Sequence, residues 1–266
     1  PSLELVFSKA SGLLTGVVQR GKAISFGGGP RFIAARRGDR SLDGSIDPGA
    51  PKGVDRVYNE IDAESELKSF TVRREGEEVI AEAIYSGALT KVSWRIAPGG
   101  TLRLDYGYRY DGVVELMGIA FDYPETGMEA LRWLGRGPYR SWQNRVHGTV
   151  LDVWENTYND PIPGETFTYP EFKGYFRDWR WAEFRTEEGL IRMAGADPHT
   201  YLGVYTPRDG RDALLFTLPE SGIAVLDVIP AIRNKVNSTD LNGPSARARH
   251  VRGLRSNTLW FRFEAR

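Results

Sequence analysis

The chain has no cysteine among its 266 residues. Disulfides, zinc ribbons, iron–sulfur ligation and a thiol nucleophile are thereby excluded, while the compartment stays open, since cysteine-free chains suit cytosol, periplasm and exterior equally. Excess charge of either sign is also missing: 35 Lys plus Arg stand against 35 Asp plus Glu. Without a basic footprint, neither nucleic acid nor an anionic membrane is expected as a partner. No apolar run approaches the roughly 18 residues of a membrane-spanning helix, and no charged, apolar, small-residue signal opens the chain. A soluble chain is expected. It starts at Pro1 and not at Met, which fits an excised or processed piece of a longer polypeptide. Histidine is scarce, with His147, His199 and His250 alone. No Gly-x-Ser-x-Gly elbow, His-Glu-x-x-His or EF-hand pattern appears, so no metal or cofactor is expected.

What the chain does have is aromatics and turn residues: seven Trp, twelve Tyr and twelve Phe beside 30 Gly and 15 Pro. That combination suits an all-β protein. Period-two alternation supports it. Leu102, Leu104, Tyr106, Tyr108 and Tyr110 share one face against Arg103, Asp105 and Arg109, and Val92, Trp94 and Ile96 alternate with Ser93 and Arg95. Pro98-Gly99-Gly100 joins these two as a hairpin. Similar stretches are expected to be strands at 3–8, 13–19, 57–62, 67–74, 78–86, 115–123, 130–135, 150–156, 165–169, 179–185, 189–195, 201–205, 212–218, 222–228 and 257–264. So many strands exceed what one twisted sheet carries, which predicts a single domain over 1–266 built as a large two-sheet β-sandwich. Two stretches, 27–56 and 230–256, read as long loops, because Gly27-Gly28-Gly29-Pro30 and Asp47-Pro48-Gly49-Ala50-Pro51 break one and Pro230 and Pro244 the other.

The densest polar-aromatic segment runs from Trp133 to His147. Gly135-x-Gly137-Pro138 is expected to end a strand and present Tyr139, Arg140, Trp142, Asn144, Arg145 and His147 on an exposed turn. A sugar needs a flat apolar platform beside planar hydrogen-bond donors, and this loop holds both. The segment from Tyr169 to Trp181 repeats the recipe, with Glu171, Arg177 and Trp179 as further candidates and with Trp179 and Trp181 expected on one face. The alternative is that Trp142 is buried core and that Arg177 and Asp178 form a surface ion pair.

Trp133-x-Gly135-x-Gly137-Pro138, followed by Trp142 and Arg145, resembles the Trp-x-Gly-x-Gly-Pro-x-Glu-x-Tyr-x-Asp-Arg signature of the C-terminal small-chain domain of glycoside hydrolase family 2 β-galactosidases. Ser11-Gly12-Leu13-Leu14-Thr15 resembles that family's opening hairpin, and Gly29-Pro30-Arg31-Phe32 through Asp39 one of its loops. The resemblance implies a galactose-mutarotase-like supersandwich that lies against a catalytic barrel of the same polypeptide and borders its sugar site. Departures are plain: Arg140 and Asn144 replace the family's Glu and Asp, the Gln-Glu-Asn-Gly stretch reads Glu171-Phe172-Lys173-Gly174, and 230–256 lacks a Trp. Lactose-like specificity is therefore not carried over.

By the same resemblance the two carboxylic acids of hydrolysis, about 5 Å apart in retaining enzymes, belong to the barrel. The expectation is a non-catalytic accessory domain that supports the barrel and contacts carbohydrate weakly. A free-standing sugar epimerase or lyase, and a scaffold without ligand, are the alternatives. None of the three histidines stands in a stretch resembling a mutarotase motif.

Overall fold

The computed structural model describes residues 2–37, 58–157, 174–205, 221–231 and 243–266. In chain order the strands are β1 (Leu3–Phe7), β2 (Leu14–Gln19), β3 (Lys22–Ile24), β4 (Gly27–Arg37), β5 (Tyr58–Glu60), β6 (Ser65–Glu75) and β7 (Glu78–Gly87). There follow β8 (Leu89–Ile96), β9 (Leu102–Arg109), β10 (Gly112–Val114), β11 (Leu116–Asp122), β12 (Met128–Ser141) and β13 (Val150–Thr157). The last are β14 (Tyr175–Thr186), β15 (Gly189–Gly195), β16 (Tyr201–Val204), β17 (Ile223–Val228), β18 (Arg249–Val251) and β19 (Leu254–Ala265). Helical structure among the described residues is limited to three-residue 3-10 turns at Glu125–Gly127 and Pro244–Ala246.

The strands stack in two layers. The large one runs β6-β7-β8-β9-β19-β15-β14-β12-β13, antiparallel throughout. The hairpin at Pro98-Gly99-Gly100 is present, closed by Ala97 and Thr101 at 3.0 Å. The second layer runs β5-β4-β11-β17-β16. Beside it β1, β2 and β3 form a ribbon attached to β4 by the Leu14–Gly29 pair. The layers are not separate sheets, however. β14 pairs with the large layer along most of its length and also with β16 at Phe176–Leu202, so hydrogen bonding links seventeen strands into one curled sheet folded on itself. Curling is the expected outcome for a sheet this wide.

Alternation decides what lies between the layers. Trp94 on β8 and Phe261 and Phe263 on β19 point inward from the large layer and meet Phe121 on β11 and Phe26 just before β4. Phe26 stacks on Phe121 with centroids 5.1 Å apart, and Trp94 meets Phe121 edge-on at 6.3 Å. Burying each such side chain is worth about 1.5–3 kcal/mol. The intervening residues face water and pair across strands, as in Lys91 to Glu82 at 2.7 Å.

Three expectations need correction. The stretch from 27 onward is not a loop at its start: β4 runs eleven residues from Gly27. A Cβ on Gly29 would lie 2.3 Å from the Ala120 carbonyl oxygen, so this glycine permits close pairing with β11 and does not break the chain. Nor is 230–256 wholly irregular, since β18 and the first residues of β19 fall in it. Finally, no strand ends at Gly135 or Gly137, because β12 continues through both to Ser141. The strands expected at 165–169 and 212–218, and the loop residues 38–57, lie outside the described residues.

Candidate functional site

The two polar-aromatic segments come together because β12 and β14 are hydrogen-bonded neighbours, with Arg136 opposite Arg177 and Ser141 opposite Tyr175. Glycine permits this. A Cβ on Gly135 would sit 3.0 Å from the Trp179 Cα, and one on Gly137 would sit 2.6 Å from Cδ1 of Trp154. The turn comes later, at Trp142–Arg145, closed by the Arg145 amide donating to the Trp142 carbonyl at 3.0 Å. Gln143 fixes that turn to a distant part of the chain. Its amide donates to the Pro230 carbonyl at 2.9 Å, and its side-chain nitrogen to the Arg247 carbonyl at 3.2 Å.

The rings point inward and not onto an exposed turn. Trp142 is fully buried, edge-on to Tyr175 at 6.1 Å, in a cluster with Ala35, Leu116 and Leu226. Trp179 is fully buried as well, its indole N–H donating to the Thr200 hydroxyl at 3.1 Å. Arg140 is 3% exposed; its guanidinium donates to the Val204 and Tyr205 carbonyls at 2.8 and 3.2 Å and lies 4.9 Å from the Phe176 ring. Both bonds come from Nη1 and tie the end of β12 to β16 and the residue after it. Tyr139, Asn144 and Arg177 are half-buried, while Arg145 and His147 are exposed. These are the accessible side chains among the candidates. Glu171 lies outside the described residues. Asp178 does not depend on Arg177 for its ion pair; Arg136 reaches it at 2.6 Å and also donates to the Thr149 carbonyl. His147, His199 and His250 all lie at the surface.

Trp179 and Trp181 do not share a face. Between the pairs Leu134–Trp181 and Arg136–Arg177 the register shifts, with Asp178 at a φ of 49°. This bulge turns Trp179 into the core and Trp181 outward. On the outer face Trp181 lies beside Ala194 and Trp260, with the Arg132 guanidinium 5.7 Å from the Trp181 ring. Trp181 and Trp260 were not among the candidates from sequence, though the alternation of Trp260, Arg262 and Glu264 against Leu259, Phe261 and Phe263 carried the signal.

A further polar group lies between the layers. The Tyr108 hydroxyl on β9 donates to the Asp227 carboxylate on β17, and Tyr106 stacks parallel to Tyr108 with centroids 6.4 Å apart. Burial pushes the Asp227 carboxyl above its ordinary value, against the opposing effects of the Tyr108 bond and the Arg255 charge. Burial and the Asp227 charge together push the Tyr108 phenol well up. No sequence pattern links residues so far apart.

A family model described as beta galactosidase small chain matches residues 1–224, and the chain belongs to this family. No curated protein matches it. Among solved structures, one from Escherichia coli K12 provisionally named an aldose 1-epimerase is similar over 100% of both chains, with 12% identity and a TM-score of 0.36, too distant to bear on function.

Proposed function

We propose that the chain is a non-catalytic accessory domain of a family 2-like glycoside hydrolase, one that supports a catalytic barrel and borders its sugar site with the rim of the Trp142–Arg145 turn. Membership in the β-galactosidase small-chain family is the observation that carries this reading. The rim suits weak contact with hydroxyls: Asn144 is half-buried beside the exposed Arg145 and His147, which together offer planar donors and an acceptor. Buried Trp142, Trp179 and Arg140 then hold the rim in place and do not touch sugar. Support for a barrel needs an apolar contact surface, and one face of β13 offers exposed apolar side chains, with Leu151 and Val153 exposed by 51% and 43%.

The test compares the purified chain with a protein that also carries the barrel. The chain alone should not hydrolyse aryl β-galactosides or β-glucosides, because the reaction needs paired carboxylates that this reading assigns to the barrel. Deleting the chain should lower both the activity and the thermal midpoint of the barrel-bearing protein, and Leu151→Asp should weaken the association. Hydrolysis by the purified chain, or a barrel indifferent to its removal, would overturn the proposal.

A further inference from the structure

We infer that the outer face of the large layer carries a second carbohydrate-binding surface, remote from the Trp142–Arg145 turn, in which an oligosaccharide stacks on Trp181 and Trp260. The inference does not depend on whether the chain serves a barrel.

The surface is built by register. Trp181 on β14 pairs with Ala194 on β15, and Ala194 pairs with Trp260 on β19. Side chains on one face at paired positions point the same way, so two indoles stand two strand spacings apart, about 10 Å, with a methyl group between them. A small floor between two large walls makes a trough. The residues next along the strands, Ala182, Met193 and Phe261, face the interior, where they are buried. The core therefore does not need these indoles, and Trp260 remains 37% exposed.

Two residues further along lies a rung of charge, also in register: Arg132 opposite Glu183, Glu183 opposite Arg192, and Arg192 opposite Arg262. Arg192 donates to Glu183 at 2.6 Å and to Glu264, while Arg132 reaches Glu183 at 3.4 Å and Arg262 lies 3.7 Å from Glu264. The pairing holds Arg192 and Glu183 in fixed positions before any ligand arrives, so less side-chain freedom is lost on binding. Guanidinium edges and carboxylate oxygens not used in the pairs remain to meet hydroxyls.

This chemistry selects its ligand class. A pyranose presents an apolar face of C–H groups and an equatorial ring of hydroxyls, which match an indole and a planar charged rung side by side. An aliphatic ligand would leave the charged rung unused. A polyanion would meet the two carboxylates of Glu183 and Glu264 as well as the guanidinium groups. Stacking is weak per ring, so two platforms are needed for measurable affinity.

The test is titration of the chain with short β-linked galactan and glucan oligosaccharides and with oligogalacturonates, followed by tryptophan fluorescence and calorimetry. Binding in the millimolar range is expected for at least one neutral series. Trp181→Ala and Trp260→Ala should each weaken it by about tenfold or more, with the melting temperature and circular dichroism unchanged. Trp260→Phe should retain part of the affinity, and Lys68→Ala on the exposed strand β6 should leave it unaltered. No binding by any of the three series overturns the inference, as does binding that survives both alanine changes. Loss of association with a barrel, in place of loss of sugar binding, in Trp260→Ala would reassign the surface as a protein interface and equally overturn it.

Discussion

The hydroxyl of Tyr108 on β9 donates to the carboxylate of Asp227 on β17, a polar bond set within the largely apolar contact between the two layers. Burial raises the Asp227 pKa, so the folded state holds this proton more tightly than the unfolded chain does. The group therefore favours folding below its unfolded value of about 3.9, and that contribution is lost as pH rises through the folded pKa. Asp227→Asn should remove this dependence: the midpoint of the variant minus that of the parent is expected to grow as pH is raised from about 4 toward neutrality. Thermal melts at a series of pH values check it.

Tyr108→Phe should act in the opposite direction. It deletes the donor that opposes burial at Asp227 and leaves a carboxylate without that bond, which is expected to cost about 1–3 kcal/mol at neutral pH. The double variant Tyr108→Phe, Asp227→Asn should be less destabilised than Tyr108→Phe alone. Urea unfolding of the four proteins measures the coupling.

Trp142 and Arg145 sit at the two ends of one tight turn yet should behave differently. Trp142→Ala empties a fully buried site and is expected to cost about 3–5 kcal/mol. Exposed Arg145 and His147 should each change to Ala within about 0.5 kcal/mol. Denaturant midpoints separate the two classes.

A methyl group on Gly137 would lie 2.6 Å from Trp154 and 2.8 Å from Trp133. Gly137→Ala is thus expected to destabilise by about 1–3 kcal/mol through forced movement of rings. Restoration on pairing with Trp154→Leu, measured as a midpoint shift, checks that the clash is the cause.

The same glycines show where sequence reading succeeds and fails. Alternation alone located β7, β8 and β9, because each buries one face and the period survives along its length. It missed β4 and ended β12 too early, because the glycines there serve close approach between strands and a lone chain shows them only as breaks. The two aromatic segments become neighbours through the pairing of β12 with β14, which no pattern within either segment shows. Nor was their facing legible: the two-residue register slip opposite Leu134 and Arg136 reverses Trp179 relative to Trp181, and only the partner strand reveals it. Tyr108 and Asp227 illustrate the remaining difficulty, a contact set by topology between residues with no local relation.

The position of β19 has a consequence for how the protein is made. It joins β9 to β15 and, among the described residues, is the strand that links the β6–β9 meander to the β12–β15 group within the large layer. Synthesis reaches Leu254 after both groups have emerged, and each then presents an open edge that β19 alone satisfies. A nascent chain paused before that point is a template for pairing with its neighbours, so expression at a slow ribosome or in a crowded polysome would favour tangled assemblies over single molecules. β19 thus acts as a guard against mispairing between the two groups, and chaperone demand should fall once it has paired with both.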